Sequence, residues 1–383
     1  MTSTHPQPLL NKKNRCARLS YWLLATAIFA ALLFSVVLHY VWGPRVSTSL
    51  AYFTVDHANL SSENGFSDEG RFAGLEFDLK GADAWKVCSV YRDAAFYLIQ
   101  ARTLKPTHSP YSFRMLAPWL AGVLHRISGL ELPYCFLVLN LAAVLAAALI
   151  FTEYLRRFHG FNHWIALLGG VLLVTSSGVV RTVPFPLVDP LSYLWVVLLF
   201  WSVRRGNISA FLVFSLLGVL TKPVLAFGAF LWPIVHWPKD ARNPRQWIYA
   251  LVPALGPVLF FASVRLIFSG NLGTVHYGYN LLEGELPKCF GRLLYWEGLL
   301  MTMLHYFLSF TFMWSGLFNL NRDKFLFKAF FTVVIPVTVA VLLLSSRIIR
   351  PMGILYPVII PLFLLFVPRI KARFDKASQL KAE

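Results

Sequence analysis

The sequence predicts an all-α fold: a polytopic transmembrane helical bundle of about ten spans, with a long external first loop carrying amphipathic helices. Three observations carry this expectation. The chain is 57% hydrophobic and 14% charged over 383 residues, with a mean hydropathy of +0.60, whereas a soluble domain carries roughly a quarter charged residues. Its apolar residues come in long blocks, such as 21–42 and 136–150, rather than in amphipathic stripes. A block of about 20 apolar residues matches the hydrocarbon thickness, where a helix satisfies its own backbone groups. Finally, Lys and Arg clusters fall at alternate ends of successive blocks, as the positive-inside rule requires.

The elements follow in order. Lys12, Lys13, Arg15 and Arg18 lie in an N-terminal tail, 1–20, and precede span one, about 21–42. That run exceeds a signal-peptide core of about 7–15 residues and ends in no small-x-small site, so it is read as an uncleaved span entered from the cytoplasm. Residues 43–133 then lie outside. Span two, about 134–154, returns to Arg156 and Arg157. Span three, about 163–180, exits near Arg181, and span four, about 188–203, re-enters at Arg204 and Arg205. Span five, about 207–221, ends outside at Lys222-Pro223. Span six, about 224–237, is short and leads to Lys239, Arg242 and Arg245.

Span seven, about 246–268, opens a second external loop, 269–296. Span eight, about 297–319, comes in to Arg322, Lys324 and Lys328. Span nine, about 326–345, exits at Arg347 and Arg350. Span ten, about 352–367, closes the transmembrane domain 21–367 before a cytoplasmic tail, 368–383. Both termini are thus expected inside.

The net charge of +17 fits cytoplasmic loops facing anionic lipid, and no soluble basic domain is present to hold nucleic acid. The four cysteines form no CxxC or zinc spacing. Cys88 and Cys289 both fall in external loops, where a disulfide and two free thiols are equally open. His159 and His163 stand four apart in a cytoplasmic turn without carboxylate partners, a poor metal site. No acidic cluster has clear ligand spacing, which leaves the use of a divalent metal open.

Carboxylates concentrate outside: Asp56, Glu63, Asp68, Glu69, Glu76, Asp78, Asp83, Asp93 and Glu131 in the first loop, Glu283, Glu285 and Glu297 in or beside the second, and Asp189 at an external helix end. Long loops of this kind carry function. Tyr277, Tyr279, Tyr295 and Trp296 suit either sugar stacking or an interfacial aromatic belt. In the first loop, Phe96, Leu98 and Ile99, then Met115, Leu116, Trp119, Leu120 and Val123, are spaced for two amphipathic helices on the membrane surface. They would hold Asp93 and Arg114 at the water–lipid boundary. There an aspartate can take a proton from a hydroxyl and an arginine can clamp a phosphate, or both can simply anchor the helices.

The pattern Asp93–Phe96-Tyr97-Leu98–Ala101 followed by Phe113-Arg114-x-Leu116-x-Pro118 resembles the first-loop signature of GT-C superfamily glycosyltransferases. The mannosyltransferase-like and bacterial cell-surface-glycan members are the most similar. Pro186-Leu187-Val188-Asp189-Pro190-Leu191 looks like the acidic opening of a central span in that group. Leu220-Thr221-Lys222-Pro223 looks like its Leu-Thr-Arg-Pro ending, with lysine for arginine. Arg347-Ile348-Ile349-Arg350-Pro351 looks like the start of its last span. Two departures stand beside these: no Asp-Asp or Glu-x-Asp pair near span one, and no large soluble domain after span ten.

The resemblance implies a multi-pass enzyme of the cell membrane, of bacterial inner-membrane type. Such an enzyme passes a sugar from a polyprenyl-phosphate carrier to a glycan, lipid or protein acceptor on the external face, usually with inversion. Arg114, Lys222, Arg347 and Arg350 would bind the lipid-borne phosphate and stabilise its departure. Asp93, or else Asp189, would deprotonate the acceptor. Asp189 can equally be a helix N-cap, and Arg347 and Arg350 interfacial anchors; Arg181 and Arg265 are secondary candidates. A flippase for a lipid-linked glycan would want polar residues at mid-span, and few are present beyond Asn140. A non-catalytic membrane assembly protein is the third reading.

Overall fold

Apolar blocks become helices wherever the sequence lets them run uninterrupted. The computed structural model describes residues 12–42, 92–106, 113–238, 240, 242–269, 323–335 and 355–365. In chain order these form α1 (Lys12–Trp42), α2 (Arg92–Thr103), α3 (Leu116–Ser128), α4 (Leu132–His159), α5 (His163–Val174), α6 (Ser177–Thr182), α7 (Asp189–Arg205) and α8 (Ile208–Thr221). A 3-10 helix, Pro223–Phe230, follows and continues into α9 (Leu231–Val235). Then come α10 (Pro244–Ser269), α11 (Lys324–Ala329) with a π turn Phe330–Val334, and α12 (Tyr356–Leu364). The described residues hold no strand. Short polar side chains start three of these helices: Asn162 accepts from the Ile165 N–H, Asn207 from Ala210, and Asp323 from Phe325 and Leu326.

Among the described residues, four helical stretches are long and apolar enough to cross a membrane: Leu19–Leu38, Leu132–His159, His163–Thr182 and Pro244–Val264. They correspond to expected spans one, two, three and seven. The ten expected spans are not all reproduced among these residues, and the shorter helices differ from the hydropathy blocks. Hydropathy counts every apolar block as a crossing, whereas α7 and α8 have 17 and 14 residues, and 14 residues at 1.5 Å rise reach only about 21 Å. The block expected as span six is eight residues of 3-10 helix and five of α-helix. Span three is not one regular helix either: extended Ser176, with ψ 145°, separates α5 from α6. Span eight lies outside the described residues, and spans nine and ten are described only over 323–335 and 355–365. The expected N-terminal tail is already helical from Lys12.

Around its apolar core, this molecule exposes large apolar side chains and buries several polar ones. Leu23, Phe34, Leu259 and Leu266 are exposed, while Asn140, Thr152, Thr182, Asp189, Ser215 and Lys222 are buried. In water, large apolar surfaces of this extent are covered and Asp and Lys stay outside; with hydrocarbon as the solvent, polar groups turn inward.

Two apolar clusters organise the interior. The larger joins α1, α4, α5, α7 and α12 through residues such as Phe29, Phe151, Leu173, Val197 and Ile359. Gly170 permits the close approach of α1 and α4 to α5, since a Cβ there would meet the Phe29 ring and stand 2.5 Å from Thr152 Oγ1. The smaller joins α2 (Ala94, Tyr97, Leu98, Ala101), α3 (Ala117, Ala121) and the start of α4 (Cys135, Phe136) to Leu187, Val188 and Leu191.

Leu98 of α2 is buried as its apolar spacing suggests, whereas the most deeply buried face of α3 is made of small residues. Ala117, Pro118, Ala121 and Gly122 are the buried residues of α3, and Trp119 is exposed. A Cβ at Gly122 would collide with the Ala101 carbonyl oxygen, so the small-residue face is what lets the two helices touch. Leu116, Leu120 and Leu124 flank that face, partly buried against the same cluster, while Trp119 turns outward.

Candidate functional site

Asp189 and Lys222, 33 residues apart, meet at one end of the bundle. Pro190 is tolerated in the first turn of α7, where a missing N–H costs no helical hydrogen bond. Asp189 is therefore the first residue of that helix, where the helix dipole favours an anion. It does not act as the N-cap: that position is Val188, and it makes no side-chain cap bond. Lys222 precedes Pro223, and a residue before proline is driven out of the α region. It adopts φ −153° and ψ 112°, ending α8. Its Nζ donates to Asp189 Oδ1 at 2.5 Å. Asp189 is fully buried and Lys222 is 7% exposed.

The surroundings hold this pair in place. Trp195 Nε1 donates to Thr221 Oγ1 at 2.9 Å, and that hydroxyl donates to the Leu217 carbonyl at 2.8 Å, tying α7 to the last turn of α8. Ser192 Oγ donates to the Asp189 carbonyl at 2.6 Å. Buried Asn140 on α4 donates through Nδ2 to the carbonyls of Val183 (3.2 Å) and Phe185 (2.8 Å), in the turn leading to Asp189. On the far side, the Tyr356 hydroxyl accepts from the Gly178 N–H at 3.3 Å. Its ring centroid lies 6.2 Å from that of Tyr193, one turn beyond Asp189.

The remaining expected site residues are distributed as follows. Arg114 donates to the Tyr97 hydroxyl at 2.8 Å, fastening the segment before α3 to α2. Asp93 lies in the first turn of α2, and its side chain is outside the described atoms. Its neighbours Ala94, Tyr97 and Leu98 share an apolar cluster with Leu187 and Val188, immediately before Asp189. Arg181 lies on α6, half-buried. Arg347, Arg350, Cys88, Cys289, Tyr277, Tyr279, Tyr295 and Trp296 lie outside the described residues, as does the Arg265 side chain. Asn140 as the holder of the Asp189 turn was not foreseen, although a lone amide within an apolar block is itself a signal. Trp195, Thr221 and Tyr356 gave no such signal.

The other ends of α4 and α7 form a second polar cluster. His159, expected to lack a carboxylate, has one from 164 residues away: its Nδ1 lies 2.9 Å from Asp323 Oδ2. The partner escaped because local spacing does not reveal long-range pairing. Asp323 also accepts the N–H groups of Phe325 and Leu326 at 2.8 and 3.2 Å, and Arg204 stands 4.0 Å away. Burial pushes the Asp323 carboxyl up, but the His159 bond and charge, the Leu326 N–H and Arg204 outweigh it and bring it to about 2. The His159 bond is the largest of the influences that hold the Asp323 carboxyl down, with the Leu326 N–H and Arg204 adding to it.

Among the described residues no three His, Cys, Asp or Glu side chains gather as a metal site would require. Comparison with protein-family models, with curated proteins and with solved structures finds no match to this chain.

Proposed function

We propose that this chain is a multi-pass membrane glycosyltransferase that moves a sugar from a polyprenyl-phosphate carrier to a glycan, lipid or protein acceptor at the outer face of the membrane. The observation that carries this reading is the buried Asp189–Lys222 pair at one end of the bundle, next to the apolar cluster that holds α2. A carboxylate and a cation brought together in an apolar interior are costly unless they serve each other or a ligand. In this reading the shorter apolar helices cross as well, giving about ten spans with both termini cytoplasmic, and the Asp189 end faces outward.

The chemistry divides among named groups. The acceptor oxygen attacks the anomeric carbon as the bond from that carbon to the carrier phosphate oxygen breaks, and the carrier phosphate leaves with the electron pair. The acceptor proton passes to Asp93, the base of choice. Asp189, sealed from solvent and bonded to Lys222, orients the ammonium that steadies the leaving phosphate, with Arg114, Arg347 and Arg350 as further cations. The resemblance described from the sequence supports this arrangement.

The test is transfer from a radiolabelled polyprenyl-phosphate hexose in membranes holding the full chain. Asp93→Asn and Lys222→Gln are each expected to lower turnover by about 100-fold or more at unchanged protein level. Undiminished turnover in Asp93→Asn removes that residue from the mechanism. The complete burial of Asp189 also favours a non-catalytic assembly protein, in which the pair is a structural pin; absence of transfer across a panel of carrier-linked sugars would support it. A carrier of lipid-linked glycan is less favoured, because the buried hydroxyls of Thr152 and Ser202 bond carbonyls of their own helices rather than facing a path.

A further inference from the structure

At the His159 end, α4 and α7 each finish in an arginine doublet, Arg156-Arg157 and Arg204-Arg205, and each doublet splits its work. Arg156 is engaged inward, with Nε and Nη2 each 2.9 Å from the Glu153 carboxylate and Nη1 2.9 Å from His163 Nε2. Arg204 is engaged likewise, donating to the Phe158 carbonyl at 2.5 Å and covering the Phe325 ring at 4.6 Å. The second arginine of each doublet is exposed, and both settle on the same indole. Arg157 Cζ lies 5.9 Å and Arg205 Cζ 5.1 Å from the Trp201 ring, so the two charges are within 11 Å of each other. Among the described residues neither has a carboxylate or carbonyl partner.

We propose that Arg157, Trp201 and Arg205 form a binding site for the phosphate of an anionic glycerophospholipid headgroup. Two like charges drawn to one ring repel each other, and an anion between them relieves that repulsion. Guanidinium groups match phosphate oxygens two at a time, and the shared indole holds both near one point beforehand. The lipid, rather than free phosphate, follows from depth. The 28 residues of α4 span about 42 Å against a hydrocarbon core of about 30 Å, a surplus that lets its basic last turn reach the headgroups. Exposed Trp164 and Trp237 lie at the same end, as in an interfacial aromatic belt. This site is independent of the transfer chemistry at the Asp189 end.

The test uses the full-length protein in detergent micelles, with retained lipids counted by native mass spectrometry after exposure to equal phosphatidylglycerol and phosphatidylcholine. The wild type is expected to retain phosphatidylglycerol about tenfold better. Arg157→Gln with Arg205→Gln should reduce that ratio to near one, and the paired Arg→Lys changes, which keep charge but lose the fork, should leave an intermediate ratio. A separate arm adds millimolar inorganic phosphate. Equal retention of the two lipids by the wild type overturns the proposal whatever the variants do. So does an unchanged preference in the double Gln variant, or complete displacement of phosphatidylglycerol by inorganic phosphate. Both side chains are exposed, so the variants should keep the wild-type unfolding midpoint. A shifted midpoint would itself show the arginines to be structural, and count against the site.

Discussion

Removing either charge of the Asp189–Lys222 pair should be far worse for the fold than removing both. At 2.5 Å and an effective dielectric near 20, the Coulomb attraction is about 6–7 kcal/mol. Desolvation costs several kcal/mol for each buried ion. These terms are of similar size, so the intact pair is close to break-even against well-packed apolar side chains. A lone buried ion keeps its desolvation cost and has no attraction to offset it. Lys222→Met alone is therefore expected to destabilise by about 3–5 kcal/mol, and Asp189→Leu alone by a similar amount. The double substitution should return to within about 1–2 kcal/mol of wild type. Equilibrium unfolding in mixed detergent micelles, followed by circular dichroism, measures all four corners of the cycle. Additive losses in the double variant would refute the pairing. The double variant also separates fold from chemistry, since it should fold and yet lose sugar transfer under the proposed function.

Three further outcomes follow from the geometry. Asn140→Leu leaves the Val183 and Phe185 carbonyls without their buried donor and should cost about 1–3 kcal/mol in the same unfolding assay; no loss would show that the turn before Asp189 is held by other contacts. Asp323, at about 2 against an ordinary 3.8, contributes stability that is present above about pH 4 and is lost as pH falls towards 2. Thermal midpoints between pH 2 and 7 should show that slope in wild type and a shallower one in Asp323→Asn. Exchanging the charges, Asp189→Lys with Lys222→Asp, keeps a pair but sets each ion against its helix dipole, at an expected cost of about 1–2 kcal/mol by mixed-micelle unfolding. Stability equal to wild type would remove the dipoles from the account.

What could be seen in the sequence was what side-chain hydropathy and local backbone rules control. The blocks that became α1, α4 and α10 were legible because long apolar runs leave a helix in hydrocarbon few alternatives. Asp189-Pro190 was legible as a helix start because proline is tolerated in the first turn, and Lys222-Pro223 as a helix end because proline restricts the residue before it. Hydropathy does not register backbone hydrogen-bond type, so the 3-10 turns of Pro223–Phe230 and the break at Ser176 were read as continuous spans. It also gives large side chains more weight than small ones. The packed face of α3 is Ala117, Ala121 and Gly122, chosen by how closely two backbones can approach rather than by apolar area. His159 and Asp323 meet only through the tertiary fold, and nothing within a turn of either residue announces the other.

The meeting of Asp189 and Lys222 has a cause that joins these levels. Each charge directly precedes a proline, so each is confined to a helix end, but to opposite ends: the aspartate opens α7 and the lysine closes α8. Asn207, whose side chain caps α8, makes the connection between the two helices only a residue or two long, so they fold back as antiparallel neighbours. The opening of one then lies beside the closing of the other. From that turn, 17 residues of α7 and 14 of α8 rise about 25 and 21 Å, a mismatch that the four-carbon lysine stem covers. The dipoles agree with the charges, positive behind the aspartate and negative behind the lysine. A cation on the proline-terminated end of α8 thus finds its anion within one hairpin, and Asn140 of α4 and the first-loop helices pack against an end whose two charges the hairpin already brings together.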